Sequence, residues 1–351
     1  MEHYIREIKI DGLRHLSNVV ISLNAESRQH LMITGKNGSG KTSLLRAMQR
    51  YLQAINDGKM RLLHYVEGYK KGIDISFNEY RDLDSLYKQG DFITAYFPAN
   101  RKTEIIRANG VEDIKLNSYY AIDSEPGKLL LKYMVHLKTQ QAYARNEGDM
   151  AIADRIQKWF DRFVDALRIL LDDNSITLEY DYKDYDFKIH QEGRIPFGFD
   201  KLSDGYSSVI HIVSDLILRM DRNWLLGDRL SEYNVEGIVL IDELETHLHI
   251  ELQRKILPFL TEFFPRIQFI VTTHSPYILN SISNAKVYDL ERNMELENAF
   301  AYSSDGLAEG FFEAEQYSEE LKNKVERYQC LVQKGNPTEE ERAERARLRS
   351  L

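Results

Sequence analysis

The chain alternates short apolar runs with longer segments in which apolar residues recur every three or four positions. The short runs indicate buried strands, and the longer spacing is typical of amphipathic helices. Strands are predicted in the segments 29–33, 91–99, 236–245 and 267–276, and helices at 43–52, 206–220 and 251–260. Because strands and helices alternate, the pattern predicts an α/β fold built on a parallel sheet.

Two further groups of elements interrupt this alternation. Residues 4–23 show two strands around a turn, and 72–80 is a further strand; the predicted fold includes an antiparallel β subdomain. Residues 127–172 carry two helical patterns, followed by a strand hairpin at 175–190, which predicts an inserted helical subdomain. The predicted domains are an N-terminal lobe at 1–126, the insertion and hairpin at 127–200, a C-terminal lobe at 201–290 and a helical appendage at 291–351. Two helices are predicted in that appendage, at 306–335 and 336–351, the second with Thr338 or Asn336 near its cap.

The clearest chemical signal lies between the strand at 29–33 and the helix that follows it. Gly35, Gly40, Lys41 and Thr42 fit the spacing G-x-x-x-x-G-K-[ST] of a P-loop. Glycines permit the positive-φ turns by which backbone N–H groups surround a phosphate, and the helix start adds partial positive charge. A glycine loop with an unrelated lysine would have the same spacing, but the strand before it and the helix after it favour the P-loop.

This loop predicts a site for ATP and Mg²⁺. We expect Lys41 to reach the β- and γ-phosphates and the Thr42 hydroxyl to bind the metal. The other loop residues predicted to contact ATP are Asn37, Gly38, Ser39, Gly40 and Ser43.

Two acids, Asp242 and Glu243, follow the apolar run at 236–241. Parallel strands end at the same edge of a sheet, so these acids are expected beside the P-loop. Asp242 is predicted to hold Mg²⁺, directly or through water, and Glu243 to polarise the attacking water. The simpler alternative is a pair of acids that ends a strand.

The segment Leu-Ser-Asp-Gly at 202–205, followed by a helical pattern, is similar to the signature motif of ABC-type ATPases. Ser-Asp-Gly alone is ordinary turn chemistry, so its position before the acidic strand gives the motif its weight. The resemblance implies that Ser203 and Gly205 bind the ATP held by the P-loop of a second subunit. Two chains would then enclose two ATP molecules with twofold symmetry.

A fourth motif, Val-Thr-Thr-His-Ser-Pro at 271–276, places His274 directly after a buried strand. In ABC-type ATPases a histidine at this point contacts the γ-phosphate, so the resemblance implies a catalytic role for His274 together with Lys41 and Glu243. A histidine that packs locally at a strand end is the alternative.

Within this family, the chain resembles the group related to SMC, RecF and the overcoming-lysogenization-defect nucleases. The opening at 5–23 is similar to that group's Ile-x-x-Phe-[RK]-x-Phe pattern, with leucines where aromatics are usual, and the resemblance implies that Arg14 approaches the nucleotide. Residues 242–249 are similar to the group's Asp-Glu-Pro-Glu-x-x-Leu-His-Pro, although Leu244 and Ile250 replace its prolines. The Leu-Ser-Gly-Gly-Gln pattern of transporter ATPases is absent.

One feature departs from the ABC-type pattern. These enzymes usually have a glutamine, which senses Mg²⁺ and the attacking water, after a strand between the P-loop and the signature. The corresponding segment here, Phe-Pro-Ala-Asn-Arg at 97–101, has none, and Asn100 is the candidate metal ligand in its place. The departure predicts slow hydrolysis, with ATP used to clamp a dimer. A scaffold that binds ATP without hydrolysing it is the alternative, against which the intact Glu243 argues.

Composition narrows the range of partners. The 351 residues include 46 Lys and Arg against 55 Asp and Glu, for a net charge of −9. This balance does not indicate a protein that binds nucleic acid over its whole surface. A single cysteine, Cys330, and the lack of a signal or membrane-length apolar segment predict a cytoplasmic protein without a membrane role.

The segment after His274 is too short and too helical for the nuclease domain that the overcoming-lysogenization-defect enzymes carry there. The chain therefore resembles the stand-alone ATPase subunits of bacterial anti-phage systems such as Septu, PARIS and some retrons. The resemblance implies an ATPase that forms a homodimer, or a larger assembly, and regulates a separate effector such as a nuclease or toxin. The alternative is a RecF- or SMC-like ATPase of DNA repair or recombination. The bases of 127–172 are interleaved with acids, which favours a solvated helix face over a DNA-binding one.

Overall fold

Five parallel strands and one antiparallel strand form the central sheet of the computed structural model. From one edge to the other they are β11 (Met294–Leu296), β10 (Ala285–Asp289), β3 (His30–Thr34), β9 (Ile267–Thr272), β8 (Glu236–Ile241) and β5 (Phe92–Phe97). Every residue of β3, β8 and β9 is buried, as expected for parallel strands covered on both faces. The predicted α/β fold class is therefore confirmed.

The structure describes residues 2–59, 72–101, 105–221, 234–310, 324, 327–332, 334 and 338–349. The chain divides into two units, residues 1–301 and 302–351. The first unit extends past the predicted boundary at residue 290, because β11 pairs with β10 and so belongs to the central sheet.

The predicted antiparallel β subdomain is also present. Its three strands are β2 (Val19–Ser22), β1 (Ile5–Asp11) and β4 (Gly72–Phe77), with β1 in the middle. Ile8 and Ile10 of β1 are buried, and they alternate with outward-facing residues. This period of two explains why the subdomain could be predicted from the sequence.

The helices of the first unit pack around these sheets. They are α1 (Lys41–Asn56), α2 (Leu83–Gln89), α3 (Leu130–Glu147), α4 (Met150–Leu171), α5 (Asp204–Met220), α6 (Ile250–Phe263) and α7 (Pro276–Leu279). The hairpin pairs β6 (Thr177–Asp181) with β7 (Asp186–His190). Helices α3 and α4 pack against each other as the predicted insertion.

An aromatic cluster forms the core of the insertion. The Trp159 ring stacks on Phe163, with centroids 5.5 Å apart, and meets Tyr133 of α3 edge to face at 5.8 Å. The Asp149 side chain caps α4 by accepting a hydrogen bond from the Ile152 N–H at 3.1 Å. Burial of large rings thus holds the two helices together.

The second unit contains α8 (Ser304–Gly310) and α9 (Glu339–Arg349). Thr338 caps α9 reciprocally: its Oγ1 accepts from the Glu341 N–H at 3.3 Å, and its own N–H donates to Glu341 Oε2 at 2.9 Å. The cap predicted at Thr338 is present. Asn336, the other candidate, and most of the helix predicted at 306–335 lie outside the described residues.

In the part of the chain that the structure describes, no helix combines the length and apolar composition needed to cross a membrane.

A buried carboxyl connects the insertion to the end of α5. Asp221 accepts a hydrogen bond from Trp159 Nε1 at 2.5 Å, and both side chains are buried. Burial raises the pKa of Asp221 from 3.8 to about 7. Between those two values the unfolded chain releases a proton that the folded chain retains, so the free energy of unfolding falls as the pH rises.

We therefore expect Asp221→Asn to gain stability relative to the wild type as the pH rises. Between about pH 5 and pH 7.5 the difference in free energy of unfolding should grow by roughly 2–3 kcal/mol. Urea denaturation of both proteins across this range measures the difference, in which the titration of all other groups cancels. A difference that does not change with pH would contradict this assignment.

Candidate nucleotide-binding site

The carboxyl ends of three neighbouring strands bring the predicted motifs together. Strand β9 pairs in parallel with β3 on one side, Thr272 opposite Ile33, and with β8 on the other, Val271 opposite Ile241. The P-loop follows β3, the acids follow β8, and His274 follows β9. One strand therefore separates the acids from the P-loop, and Thr272 occupies that middle position.

The P-loop adopts the left-handed backbone conformations that its glycines predicted. Gly35, Gly38 and Gly40 have φ values of 132°, 86° and 101°. A Cβ atom at Gly35 would lie 2.9 Å from Ser39 Oγ and 3.1 Å from Asp289 Oδ1. Both the φ value and the close packing therefore require glycine at this position.

Lys41, the first residue of α1, folds back over the loop. Its Nζ donates to the carbonyl oxygens of Gly35 at 2.7 Å and Lys36 at 3.2 Å. Burial lowers the pKa of Lys41, while the carboxylates of Glu243 and Glu245 act to raise it. The ammonium is therefore held against the loop backbone, within electrostatic range of the acids after β8, where a phosphate chain bound by the loop would reach it.

The loop leaves a polar group without a partner. Ser39 Oγ is buried and makes no hydrogen bond with any described residue. A glycine cradle with an unpaired hydroxyl and a buried lysine fits a phosphate ligand. Of the other predicted contacts, Asn37 and Gly38 are exposed, and Thr42 and Ser43 are partly buried in the first turn of α1.

The turn after β1 packs on the same loop. His15 Nε2 lies 3.0 Å from the Ser39 carbonyl oxygen, and a Cβ atom at Gly40 would lie 3.0 Å from Leu16 Cδ1. Arg14, the predicted contact, is exposed in this turn with a φ of 54°. The turn therefore lies at the P-loop as expected, but His15 and Leu16 make its contacts, and the sequence interpretation missed both.

Thr272 organises the two acids. Its Oγ1 donates to Asp242 Oδ1 at 2.6 Å and accepts from the Glu243 N–H at 2.7 Å, while its carbonyl accepts from the Leu244 N–H at 3.0 Å. Proline at position 244 could not donate this last bond, so the departure from the family pattern adds an interaction. Glu243 itself has a φ of 45°. Ile250, the second departure, is the exposed first residue of α6, where proline is equally well tolerated.

His274 and Glu245 form a second polar pair beside these acids. The His274 N–H donates to Glu245 Oε1 at 2.5 Å. His274 Nε2 and Glu245 Oε2 are buried and have no hydrogen-bond partner among the described residues. Burial and the Lys41 charge lower the pKa of His274, so the imidazole is neutral at physiological pH.

The segment without the expected glutamine contains a buried arginine. Arg101 is 7% exposed, and its guanidinium donates to the carbonyl oxygens of Asp242 at 2.7 Å and Glu243 at 3.2 Å. Asn100, the predicted metal ligand, is exposed and lines a cavity together with Asp204 of α5. The role of Arg101 could not be inferred from its position alone, because an arginine after a strand is usually solvated.

The predicted signature residues lie next to the acidic turn. Ser203 is in extended conformation immediately before α5. A Cβ atom at Gly205 would lie 2.6 Å from the His247 carbonyl oxygen, so α5 begins in direct backbone contact with the turn after Glu243. Gly205 thus contacts the acidic turn, and no described contact joins it to the P-loop.

Strand β3, the glycine loop and α1 together define a P-loop NTPase fold. The family described as "AAA domain, putative AbiEii toxin, Type IV TA system" matches residues 66–280, well over half of the chain. The chain belongs to this family. The matched range contains Arg101, the signature, both acids and His274, whereas the P-loop lies before it.

The chain is similar to curated proteins of two kinds. It is 25% identical to the Septu protein PtuA of Bacillus mycoides (strain KBAB4) over 98% of this chain and 49% of that protein. It is 30% identical to the Retron Vc95 probable ATPase of Vibrio cholerae serotype O1 biovar El Tor over 77% of this chain and 51% of that protein. The chain thus spans about half the length of each. The resemblance to Septu and retron ATPases is confirmed.

Among solved structures, an SMC head bound to the C-terminal winged-helix domain of ScpA has a TM-score of 0.44, at 12% identity over 84% of this chain and 96% of that one.

The geometry predicts that Lys41→Met lowers the affinity for ATP by roughly 100-fold, because a buried charge-assisted hydrogen bond to phosphate is lost. Lys36→Met is the matched control, since this loop lysine is exposed and pairs with Glu291 at 3.2 Å. Titration with a fluorescent ATP analogue and Mg²⁺ measures both affinities. Equal affinities in the two variants would contradict the placement of the phosphates.

Proposed function

We propose that the chain binds and hydrolyses ATP with Mg²⁺, forms a homodimer around two ATP molecules, and regulates a separate effector protein in anti-phage defence. The proposal combines the geometry of the site with the similarity to Septu and retron ATPases. Each part of it has its own test.

One observation supports the dimer above all others. The P-loop, the acids and His274 converge at one edge of the sheet, whereas Gly205 at the start of α5 contacts His247, four residues beyond Glu243. A helix N-terminus is suited to a phosphate, and no described contact joins this one to the P-loop of its own chain. A second copy of the chain, related by twofold symmetry, would supply the missing phosphate ligand to each site.

The residues at this edge of the sheet have the side-chain chemistry that hydrolysis would require. Thr42 and Asp242 would hold Mg²⁺, which neutralises developing charge on the phosphates. Glu243 would orient and polarise the attacking water, with its position fixed by the bond from its N–H to Thr272. Lys41 and the neutral His274 would contact the γ-phosphate. The absence of a glutamine at 97–101 leaves the water with one fewer ligand, which supports slow turnover.

The effector part rests on the relatives. Slow hydrolysis in a dimer that opens and closes suits the control of another protein better than steady mechanical work. The net charge of −9 favours a protein partner over the DNA of the alternative function.

Glu243→Gln should trap the ATP-bound dimer. The substitution keeps the size of the side chain and removes the carboxylate that polarises water, so hydrolysis should fall by roughly 100-fold or more while ATP binding persists. Light scattering during size exclusion should show a stable dimer with MgATP, and a monomer or a weaker dimer with ADP.

Glu297→Gln is the matched control, because this exposed glutamate lies after β11 and away from the site. A Glu243→Gln variant that stays monomeric with saturating MgATP would overturn the dimer proposal.

The effector is tested by purification of the tagged chain with the products of its neighbouring genes, with and without ATP. We expect a nuclease or toxin to bind or dissociate as a function of nucleotide, and Glu243→Gln to hold the ATP-dependent state. An ATPase that purifies alone, and whose turnover rises with added duplex DNA at low salt, would favour the repair function instead.

A further inference from the structure

The Arg101 guanidinium joins three separate parts of the fold. Its Nε donates to Ser208 Oγ of α5 at 3.0 Å, and its Nη1 donates to the Pro98 carbonyl oxygen at the end of β5 at 3.1 Å. The remaining bonds reach the turn that contains the acids. This side chain therefore connects the helix that follows the signature to the catalytic turn of the same chain.

The buried Arg101 side chain hydrogen-bonds the backbone of the turn that contains the acids. Nη1 donates to the Asp242 carbonyl oxygen at 2.7 Å, and Nη2 to those of Glu243 at 3.2 Å and Leu244 at 3.4 Å. Three consecutive carbonyls thus point at one cation. Because Glu243 has a left-handed φ of 45°, its side chain direction depends on this fixed backbone.

A second contact also joins α5 to the acidic turn. The Gly205 backbone packs directly against the His247 carbonyl, in the turn that continues from Glu243, and His247 also has a positive φ of 67°. The first turn of α5 therefore touches the acidic turn at its far end through Gly205, and the second turn touches its near end through Ser208 and Arg101. A shift of α5 cannot leave the acidic turn in place unless these contacts break.

We propose that Arg101 is a positioning residue that couples the two ATP sites of the dimer. Arg101 would act on Glu243 indirectly, through its hydrogen bond to the Glu243 backbone carbonyl. Binding of the partner's ATP at the start of α5 would fix Ser208, and Arg101 would transmit that position to the Glu243 of the chain's own site. The inference rests on the proposed ATP-bound dimer and adds the direction of communication within each subunit.

The coupling predicts cooperative hydrolysis. When the protein is concentrated enough to stay dimeric throughout the titration, ATP-driven dimerisation does not contribute; two linked sites then give a Hill coefficient of up to about 2 for ATP turnover, and unlinked sites give about 1. Ser208→Ala removes only the hydroxyl that links α5 to Arg101 and leaves the three carbonyl bonds intact. We expect this variant to dimerise with MgATP and to show a Hill coefficient near 1 with half-saturation within about twofold of wild type.

Arg101→Lys tests the turn itself. A lysine retains the charge but cannot present donors to Ser208 and the carbonyls of Asp242 and Glu243 together. We expect loss of cooperativity and, in addition, a fall in kcat of about tenfold without a matching change in half-saturation. A residue with a merely structural role would instead change the amount of folded protein and leave the Hill coefficient of the folded fraction unchanged.

Two controls separate coupling from general damage. Ser214→Ala removes another buried hydroxyl of α5, one that has no hydrogen-bond partner among the described residues. Arg219→Lys changes another buried arginine, which pairs with Asp215 at 2.5 Å and donates to the Thr94 carbonyl oxygen at 3.0 Å. Both variants should keep the wild-type Hill coefficient.

The outcomes distinguish the inference from the function on which it rests. A wild-type protein that dimerises with MgATP but hydrolyses it without cooperativity would overturn the coupling alone, and so would a Ser208→Ala variant that remains cooperative. A wild-type protein that stays monomeric with MgATP would overturn the dimer, and the coupling with it. If Arg101→Lys does not fold, Ser208→Ala against Ser214→Ala decides the matter.

Discussion

The parallel pairing of β9 with a strand on each side is the constraint on which the whole site depends. It sets the ends of β3, β9 and β8 level, so that a glycine loop, a threonine and two acids meet at one edge of the sheet. The middle strand also contributes a functional side chain, because the Thr272 hydroxyl donates a hydrogen bond to the Asp242 carboxylate and accepts one from the Glu243 N–H. A slip of one residue in either pairing would turn this hydroxyl to the opposite face and leave both groups buried without partners.

The buried charge of Arg101 at this edge of the sheet is surrounded by hydrogen-bond acceptors. Arg101 is desolvated, and burial lowers its pKa to about 10, yet carbonyl oxygens and one hydroxyl surround it at hydrogen-bonding distance. The same carbonyls belong to an irregular turn outside the strands and helices, where the Glu243 carbonyl also accepts from the Thr246 N–H at 3.0 Å. For the carbonyls of Asp242 and Leu244, Arg101 supplies the donor that regular secondary structure would otherwise provide. An arginine suits this position better than a lysine, because its planar donors reach several acceptors at once.

The sequence was sufficient to predict the sheet, the β subdomain, the inserted helices and the P-loop, since each has a regular period or spacing. It was also sufficient to place Asp242, Glu243 and His274 at one edge, because parallel strands share their ends. It was not sufficient to find Thr272 or Arg101, whose roles depend on the order of strands across the sheet and on contacts more than a hundred residues apart. Asn100 resembles the expected glutamine in side-chain type but is exposed, whereas its neighbour Arg101 is the buried residue of this segment.

The resting position of Lys41 has a consequence for ligand selection. The Lys41 ammonium donates to two loop carbonyls, so the lysine has partners before any ligand binds, although Ser39 Oγ of the same loop has none among the described residues. An incoming molecule must therefore offer the lysine more than those two oxygens already provide. A single phosphate group would offer Lys41 few acceptor oxygens beyond the two carbonyls. A chain of phosphates that reaches past the loop would offer more. We therefore expect the loop to bind a chain of phosphates more tightly than a single phosphate, independently of any contact with a base.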